Sequence, residues 1–275
     1  MLQADRTTSV SSGKSSSQEK RVDELHVRMH HDLDTLARAA ADDASARIHA
    51  AISARGVANV MFATGNSQLA FVETLVKSTT GVSWSNVAVF HMDEYVGVGR
   101  DHPAGFQRWI RERISDRTHP LQAHYIDGSE DPHQQCARYS SLLRENPIDL
   151  CCLGIGENGH LAFNDPGVAD FADPEDVKVV ELDSACRQQQ VNEGHFPDLP
   201  SVPRRAVTAT IPALLRARDV LVVVPEKRKA PAVRAALEDP IATLCPASVL
   251  RTCAHAVLHL EPESASLLAW DRVPP

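Results

Sequence analysis

The sequence predicts an α/β protein, built as a single domain around a parallel-rich sheet with helices on both faces. Short continuous apolar runs, such as residues 148–153 and 219–224, have the composition of parallel strands that are covered on both faces. These runs alternate with stretches of helical periodicity, as crossover connections between parallel strands require. The 275 residues suit one large domain, because no linker interrupts the middle of the chain.

The N-terminal region divides into a tail and a predicted helix. Residues 1–20 are rich in Ser and Thr and lack an apolar segment, which predicts a disordered tail rather than a secretory signal. The folded domain is expected over residues 21–275. Residues 22–55 predict a long helix because apolar residues recur at roughly helical spacing. His30 and His31 resemble metal ligands, but neighbouring side chains on a helix diverge by about 100°, so the pair is interpreted as a solvated helix face.

The rest of the chain alternates between predicted strands and helices. Strands are predicted over residues 57–62, 84–91, 123–126, 148–153, 177–182, 206–211, 219–224 and 256–260. Helices are predicted over residues 68–77, 102–114, 131–144, 212–217, 225–237 and 246–251. Pro132 falls in the first turn of its helix, where the missing N–H costs nothing.

Composition and missing motifs exclude several classes of function. The formal net charge is −8, and no basic cluster is followed by stacking aromatic residues, so nucleic acid is not an expected partner. No apolar run has the length of a membrane span. The six cysteines form no C-x-x-C pair and are expected to be free thiols in the reducing cytoplasm. There is no dinucleotide fingerprint after the first predicted strand, no phosphate-binding P-loop and no G-x-S-x-G elbow.

A polar turn between the strand at 57–62 and the next helix is a candidate anion site. It consists of Thr64, Gly65, Asn66 and Ser67. Backbone N–H groups and the positive end of a helix favour a phosphate at such a turn, and the two hydroxyls add donors. The alternative is an ordinary helix cap formed by Asn66 or Ser67; the two interpretations are compatible.

Two further strand ends carry charged side chains. Asp93 and Glu94 follow the strand that ends near residue 91, and strand alternation points them to opposite sides. One can therefore face a pocket while the other anchors a loop. Lys229 lies at a later strand-to-helix turn, where it can meet a phosphate as a point charge; a solvated basic turn is the alternative.

The stretch from Leu150 to Pro166 combines an apolar strand with a polar, glycine-containing loop. Gly154, Gly156 and Gly159 permit a sharp turn and a close approach of backbone to ligand. His160 follows just beyond the strand end, where open α/β sheets bind ligands. The alternative is a polar loop with an incidental histidine, but four strand ends with complementary chemistry favour one shared pocket.

Two motifs in these segments resemble those of a known family. M-D-E-Y-V-G at residues 92–97 and G-I-G-E-N-G-H-L-A-F-N-D-P at residues 154–166 resemble the signatures of the glucosamine-6-phosphate deaminase (isomerase) family, which is related to the 6-phosphogluconolactonases. The resemblance extends over residues 22–260. It implies a Rossmann-like fold and conversion of glucosamine 6-phosphate and water to fructose 6-phosphate and ammonia. It implies a sugar phosphate as the partner, with neither an organic cofactor nor a metal.

The resemblance also assigns roles to individual residues. Asp93 corresponds to the carboxylate that moves a proton between C2 and C1 of the sugar, His160 to the residue that assists ring opening, and Asp165 to the acid that orients this histidine. Phosphate binding is implied for the turn at residues 64–67, for Arg187 and for Lys229.

The sequence departs from the family pattern beside His160. The family has Asp where Asn158 stands, and usually Glu where Asp165 stands. An amide cannot hold a positive imidazolium as a carboxylate can. Three explanations stay open at this level: Glu157 substitutes, Asp165 acts alone, or the substrate differs. Asn158 is therefore counted with Asp93, His160 and Asp165 as a candidate catalytic residue.

Three other functions compete with deamination. One is hydrolysis of a sugar-phosphate lactone, although lactonases lack the A-F-N-[ED]-P continuation and usually carry D-E-R rather than D-E-Y. Another is isomerisation of a different hexose or aminohexose phosphate. The third is a sugar-phosphate sensor without catalysis, which the presence of both Asp93 and His160 disfavours. A homo-oligomer stays open.

Overall fold

The computed structural model describes residues 18–77 and 81–271. Its strands are β1 (Gln18–Val22), β2 (Leu25–Met29), β3 (Ala58–Phe62), β4 (Val87–His91), β5 (Asp93–Tyr95), β6 (Gln122–His124), β7 (Leu150–Leu153), β8 (Val177–Glu181), β9 (Arg205–Ala209), β10 (Asp219–Val224) and β11 (Ala256–Leu260). Its α-helices are α1 (Leu33–Arg55), α2 (Leu69–Lys77), α3 (Phe106–Ile110), α4 (Asp116–Thr118), α5 (Pro132–Glu145), α6 (Ser184–Asn192), α7 (Ile211–Leu215) and α8 (Ala230–Glu238). A π-helical segment, Arg111–Ser115, joins α3 to α4.

The main sheet confirms the predicted fold class. Its strand order is β1-β2-β11-β10-β7-β3-β4-β6, and all neighbours are parallel except β1 and β2. Alternate residues of β10 pack into different apolar clusters: Val220 and Val222 pack with α5, α7 and α8, whereas Leu221 and Val223 pack with α1, α2 and α3. Both faces of the sheet are thus covered by helices, which explains why its central strands are continuously apolar.

A second, antiparallel sheet lies within the same domain and was not predicted. It contains β5, β9 and β8 in that order. Tyr95 of β5 packs there against Phe163 and Phe196, with ring centroids 5.2 and 5.5 Å apart. This sheet fixes β5, and with it the position of Asp93, beyond the end of β4.

The prediction of one helix over residues 22–55 is wrong in its first third. Leu25 and Val27 alternate with exposed residues in β2 and are buried at 1% exposure, which is a strand pattern, and α1 begins only at Leu33 with Asp32 as its cap. Residues 18–20 belong to β1, so this part of the predicted tail is ordered; residues 1–17 lie outside the described part of the chain. His31 is exposed as expected, but His30 is buried, contrary to the prediction.

The helix α6 was not predicted, because residues 186–190, which form most of it, are mainly polar and show no apolar periodicity. In the part of the chain that the structure describes, helices long and apolar enough to cross a bilayer are absent.

Candidate active site

A cleft of about 590 Å³, counting space open to solvent, lies at the carboxyl ends of the adjacent strands β10, β7, β3 and β4. Seven predicted residues line it: Thr64, Gly65, Asn66, Ser67, Asp93, His160 and Lys229. The three other predicted residues, Asn158, Asp165 and Arg187, do not line it. The cleft is where open α/β sheets bind ligands, and it brings together side chains from four strand ends.

The turn after β3 forms one end of the cleft. Gly65 has φ +102°, a conformation that a side chain disfavours. Asn66–Gln68 then forms a 3₁₀ turn that leads directly into α2. Gln68 is buried and its Nε2 donates to the Val223 carbonyl at 3.1 Å. This bond ties the turn to β10, next to the segment that carries Lys229.

Lys229 supplies a cation at the same end. Its side chain lines the cleft at 3% exposure, and among the described residues none accepts a hydrogen bond or ion pair from its ammonium. Burial lowers the pKa of Lys229, although Glu193 partly opposes this effect. A bound phosphate would stabilise the charged form, so an anion at this position is electrostatically favoured.

Asp93 and Glu94 divide their roles as strand alternation predicts. The Glu94 carboxylate accepts backbone N–H groups of Phe106 and Gln107 at 3.1 and 2.7 Å, and so fixes the start of α3. Asp93 faces the cleft, and no described residue donates a hydrogen bond to its carboxylate. Burial raises the pKa of Asp93 well above its usual value, and the Glu94 carboxylate adds to this. A carboxylate with a raised pKa is a stronger base than one in water.

His160 lies on the loop after β7 and lines the cleft together with Asp93. A side chain at Gly156 would meet the His160 ring at 2.3 Å, so glycine at this position makes room for the imidazole. Behind the ring, Nδ1 lies 3.0 Å from Asp165 Oδ1, an ion-pair contact that lacks the alignment of a good hydrogen bond. Burial opposes ionisation of Asp165, but His160 and Asn158 outweigh burial and lower the pKa of this carboxyl.

Asn158 contacts both the loop backbone and Asp165 instead of the cleft. Its Nδ2 donates to Asp165 Oδ1 at 2.9 Å, and its Oδ1 accepts the His160 backbone N–H at 3.1 Å. Glu157 pairs with Arg228 at 3.3 Å and does not replace a carboxylate beside His160. Of the explanations left open by the sequence, this geometry favours Asp165 as the acid that contacts the imidazole.

Arg187, which the resemblance assigns to phosphate binding, does not line the cleft in this structure. Arg187 lies on α6, and its guanidinium donates to the carbonyl groups of Leu199 and Val202, the latter at 2.9 Å. It therefore fastens the loop that follows α6 instead of lining the cleft.

Sequence reasoning missed three cleft residues on and after α6, namely Gln189, Gln190 and Glu193. Glu193 pairs with Arg228 at 2.6 Å, and its side chain is 4% exposed. Burial opposes its ionisation, but His195, Gln189 and Arg228 lower the pKa of Glu193 to about 2. The run of glutamines was visible in the sequence, but the partner of Glu193 lies 35 residues away, so no local pattern revealed this pair.

A group of potential metal ligands occurs only behind His160 in the described part of the chain. Ligand atoms of His160, Asp165 and Cys186 lie within 4.8 Å of one another. Metal binding there would need the Cys186 thiolate, and burial raises the pKa of this thiol well above its usual value. Together with the contact between His160 and Asp165, this favours an acid–base arrangement.

The fold and the cleft define an α/β protein with a candidate ligand site at the carboxyl edge of a parallel sheet. The model of the family described as glucosamine-6-phosphate isomerases/6-phosphogluconolactonase matches residues 31–259. The chain belongs to this family.

Relatives with known names agree with this assignment. The chain is 37% identical over 210 residues to a glucosamine-6-phosphate deaminase of Exiguobacterium sibiricum, covering 75% of this chain and 80% of the relative. It is 34% identical over 216 residues to the deaminase of a Geobacillus species, covering 76% and 84% of the two chains.

Solved structures share the fold. A structure described as a monomeric glucosamine-6-phosphate deaminase aligns with a TM-score of 0.80 at 29% identity, covering 88% of this chain and 99% of that one. A 6-phosphogluconolactonase from Thermotoga maritima aligns with a TM-score of 0.70 at 21% identity, covering 86% and 99%. The second likeness concerns the fold alone.

Proposed function

We propose that this protein converts glucosamine 6-phosphate and water to fructose 6-phosphate and ammonia. The observation that carries the proposal is that Asp93, His160 and Lys229 line one cleft, where they can serve as base, proton donor–acceptor and anion-binding cation. The names of relatives that are 31–37% identical support the choice of substrate.

Ring opening is assigned to His160. Opening a pyranose requires a proton to leave the anomeric hydroxyl and another to reach the ring oxygen. A neutral imidazole can accept the first proton and donate the second. The Asp165 carboxylate, 3.0 Å from Nδ1, stabilises the transient positive charge and holds the ring so that its other nitrogen serves the substrate.

Isomerisation is assigned to Asp93. The carboxylate removes the proton on C2 of the open-chain aldehyde, and the released electron pair forms the C1–C2 double bond. The π pair of the C1=O bond moves to the C1 oxygen, which takes up a proton from water, and the product is an enolamine. Return of the proton from Asp93 to C1, with loss of one N–H proton to water, gives an imine at C2. Water adds to this C2=N bond, and cleavage of the C–N bond releases ammonia and leaves the ketone. The raised pKa of Asp93 suits a group that must both take and return a proton.

The phosphate is assigned to the turn at residues 64–67 and to Lys229. Holding this remote group supplies binding energy that orients C1 and C2 at the reacting side chains. Lys229 follows β10 and the turn follows β3, and only β7 lies between these two strands in the sheet. Both line the cleft, which supports a clamp on a single anion.

The M-D-E-Y and A-F-N-D-P segments favour deamination over lactone hydrolysis, as the family resemblance implies. Tyr95 packs in the core of the second sheet, and Asn164 Nδ2 donates to the carbonyls of Leu161 and Ala209 at 2.8 and 2.9 Å. These residues shape the loops around Asp93 and His160. The lactonase structures are 12–21% identical to this chain, which supports a common fold and no more.

A panel of substrates tests the proposal. We expect ammonia and fructose 6-phosphate in equal amounts from glucosamine 6-phosphate, and no turnover of unphosphorylated glucosamine, because the phosphate supplies the orientation. Glucose 6-phosphate, galactosamine 6-phosphate and 6-phosphogluconolactone, corrected for spontaneous hydrolysis, complete the panel. Turnover of the lactone without ammonia release from either amino sugar would overturn the proposal.

A cytoplasmic location is proposed with this function. All six cysteines are free, five of them buried, which suits a reducing compartment. The named relatives are bacterial deaminases.

A further inference from the structure

The Asn158 side chain connects two carboxylates. Its Nδ2 donates to Asp165 Oδ1 at 2.9 Å and to Asp183 Oδ2 at 3.1 Å, while its Oδ1 accepts the His160 N–H at 3.1 Å. The opposite amide orientation would set the oxygen against both carboxylates and the NH₂ group against an N–H donor. The network therefore fixes the orientation, and it requires two donors at position 158, which a carboxylate cannot supply.

Asp183 uses its two oxygens for different parts of the protein. Oδ1 accepts the Cys186 backbone N–H at 2.6 Å and caps α6, while Oδ2 accepts from Asn158. The Asp183 backbone N–H approaches Asp165 Oδ2 at 3.4 Å. Since α6 carries Gln189 and Gln190 of the cleft wall, Asp183 joins this wall to the loop of His160.

We propose that Asp183 is a positioning residue for the reaction, which holds His160 through Asn158 and Asp165 and couples it to the α6 wall of the cleft. The proposal rests on the proposed function, in which His160 moves protons. Loss of the acceptor at Asp183 leaves one N–H of Asn158 without a partner, and the amide can then turn away from Asp165. The support behind the imidazole is lost, although no group that contacts substrate has changed.

The titratable groups that face this unit come from three segments. His160 and Asp165 lie on the loop after β7, Asp183 lies at the start of α6, and Cys186 lies in its first turn with its thiol near Asp165. Asp93, on β5, lines the same cleft as the His160 ring. A change at Asp183 should consequently alter the pH–rate profile, which a purely structural cap would not do.

The first test is Asp183→Asn, which keeps an oxygen for the α6 cap but presents an NH₂ group to the Asn158 amide. The loss of one hydrogen bond to a charged group predicts that kcat falls roughly ten- to a hundredfold. KM should change less than about threefold, because Asp183 does not contact the substrate directly. The matched control is Asp131→Asn, which makes the same exchange at the cap of α5, where Asp131 accepts the Gln134 N–H at 2.8 Å. It should leave kcat and the pH–rate profile unchanged.

The second test exchanges the amide and the carboxylate between positions 158 and 183. Asn158→Asp alone places a third carboxylate against Asp165 and Asp183 and should lower kcat at least as far as Asp183→Asn does. In the double variant Asn158→Asp/Asp183→Asn, the introduced amide can donate to the introduced carboxylate. We expect kcat about tenfold above that of Asn158→Asp (on the order of one restored charged hydrogen bond), with the acid limb of the pH–rate profile moved to higher pH by the carboxylate beside Asp165.

A readout without substrate separates this proposal from the proposed function. In ¹⁵N-histidine-labelled protein, the His160 imidazole signals, assigned with His160→Gln, should change in Asp183→Asn and stay unchanged in Asp131→Asn. Failure of the wild type to release ammonia would overturn the proposed function while this comparison still decides the positioning role. Asp183→Asn equal to Asp131→Asn in kcat, pH–rate profile and imidazole signals, or a double variant no better than Asn158→Asp, would overturn the role of Asp183.

Discussion

Two histidine–aspartate pairs in this protein have nearly the same separation and very different surroundings. His160 Nδ1 lies 3.0 Å from Asp165, and His259 Nε2 lies 3.1 Å from Asp43. The His160 side chain is 13% exposed and opens onto the cleft. The His259 side chain is fully buried, and its Nδ1 is 2.9 Å from Nε2 of the stacked His30.

The difference shows that the pair itself does not define the active site. What distinguishes His160 is that its ring opens onto a cleft that Asp93 and Lys229 also line. Both ring nitrogens of His259 are occupied by protein groups, so it has no position for a substrate. The pair of His259 and Asp43 joins β11 to α1, and His30 connects this pair to the end of β2. We expect these contacts to stabilise the fold.

Replacement of His160 or of His259 by Gln should give the largest difference between the two pairs. His160→Gln removes proton transfer, and ammonia release should fall roughly 10²- to 10⁴-fold. His259→Gln should leave kcat within about twofold, because it contacts no substrate, and should lower the free energy of unfolding by about 1–3 kcal/mol. Initial rates and urea unfolding of both variants check this. Comparable losses of kcat in folded samples of the two variants would contradict the distinction.

The buried His30, which contacts His259, should make the protein less stable in acid. Burial, together with the neighbouring His259 and Arg28, lowers the pKa of His30 to about 4. The unfolded chain therefore binds the proton first, and this stability is present above about pH 6.5 and is lost as pH falls toward 4. Asp43 keeps its charge throughout this window, since His259 and Arg47 outweigh burial and lower its pKa to about 2.

A pair of neighbouring variants isolates this contribution. Between pH 7 and pH 4.5, wild type should lose on the order of 2 kcal/mol more unfolding free energy than His30→Gln. His31→Gln, which changes the exposed neighbour, should behave as wild type. Urea unfolding at both pH values measures the difference. Parallel losses in His30→Gln and wild type would show that burial of His30 is not linked to protonation.

The smallest expected effect concerns the anion end of the cleft. Glu193 lies near Lys229, and the partly exposed Arg228 side chain neutralises the Glu193 carboxylate. Arg228→Ala should raise KM for the phosphorylated substrate about tenfold, or about 1.4 kcal/mol, with kcat little changed. Adding Glu193→Gln should restore KM by removing the repelling charge. Arg234→Ala, which removes a surface pair with Asp239, is the control. Failure of Glu193→Gln to restore KM would exclude charge neutralisation as the role of Arg228.

The sequence predicted the strands and the meeting of strand-end residues in one cleft better than it predicted contacts between distant segments. The continuous apolar runs identified β7 and β10 correctly, and the polar residues after β3, β4, β7 and β10 meet in one cleft as the topology of a parallel sheet requires. By contrast, β2 was mistaken for helix because Leu25 and Met29 are four residues apart, which also fits a helical spacing. The partner of His30 lies 229 residues away, so its burial had no local signal.

Side-chain direction was the other limit. Arg187 was expected to bind phosphate, but α6 turns its guanidinium toward Leu199 and Val202. The same helix presents Gln189 and Gln190 to the cleft. Which of these side chains reaches the cleft depends on the rotation of α6 about its axis. Asp183 caps the start of this helix, and a short polar segment has no apolar periodicity from which the rotation could be predicted.

In the proposed reaction, the Asp93 carboxylate moves the proton that isomerises an amino-sugar phosphate. The most direct measurement compares ammonia release from glucosamine 6-phosphate by wild type and Asp93→Asn, with binding of the substrate followed by calorimetry. The account predicts release at least about 10²-fold slower in the variant, with a dissociation constant within about threefold of wild type, because the phosphate is held by other residues. Ammonia release by Asp93→Asn at the wild-type rate would contradict it.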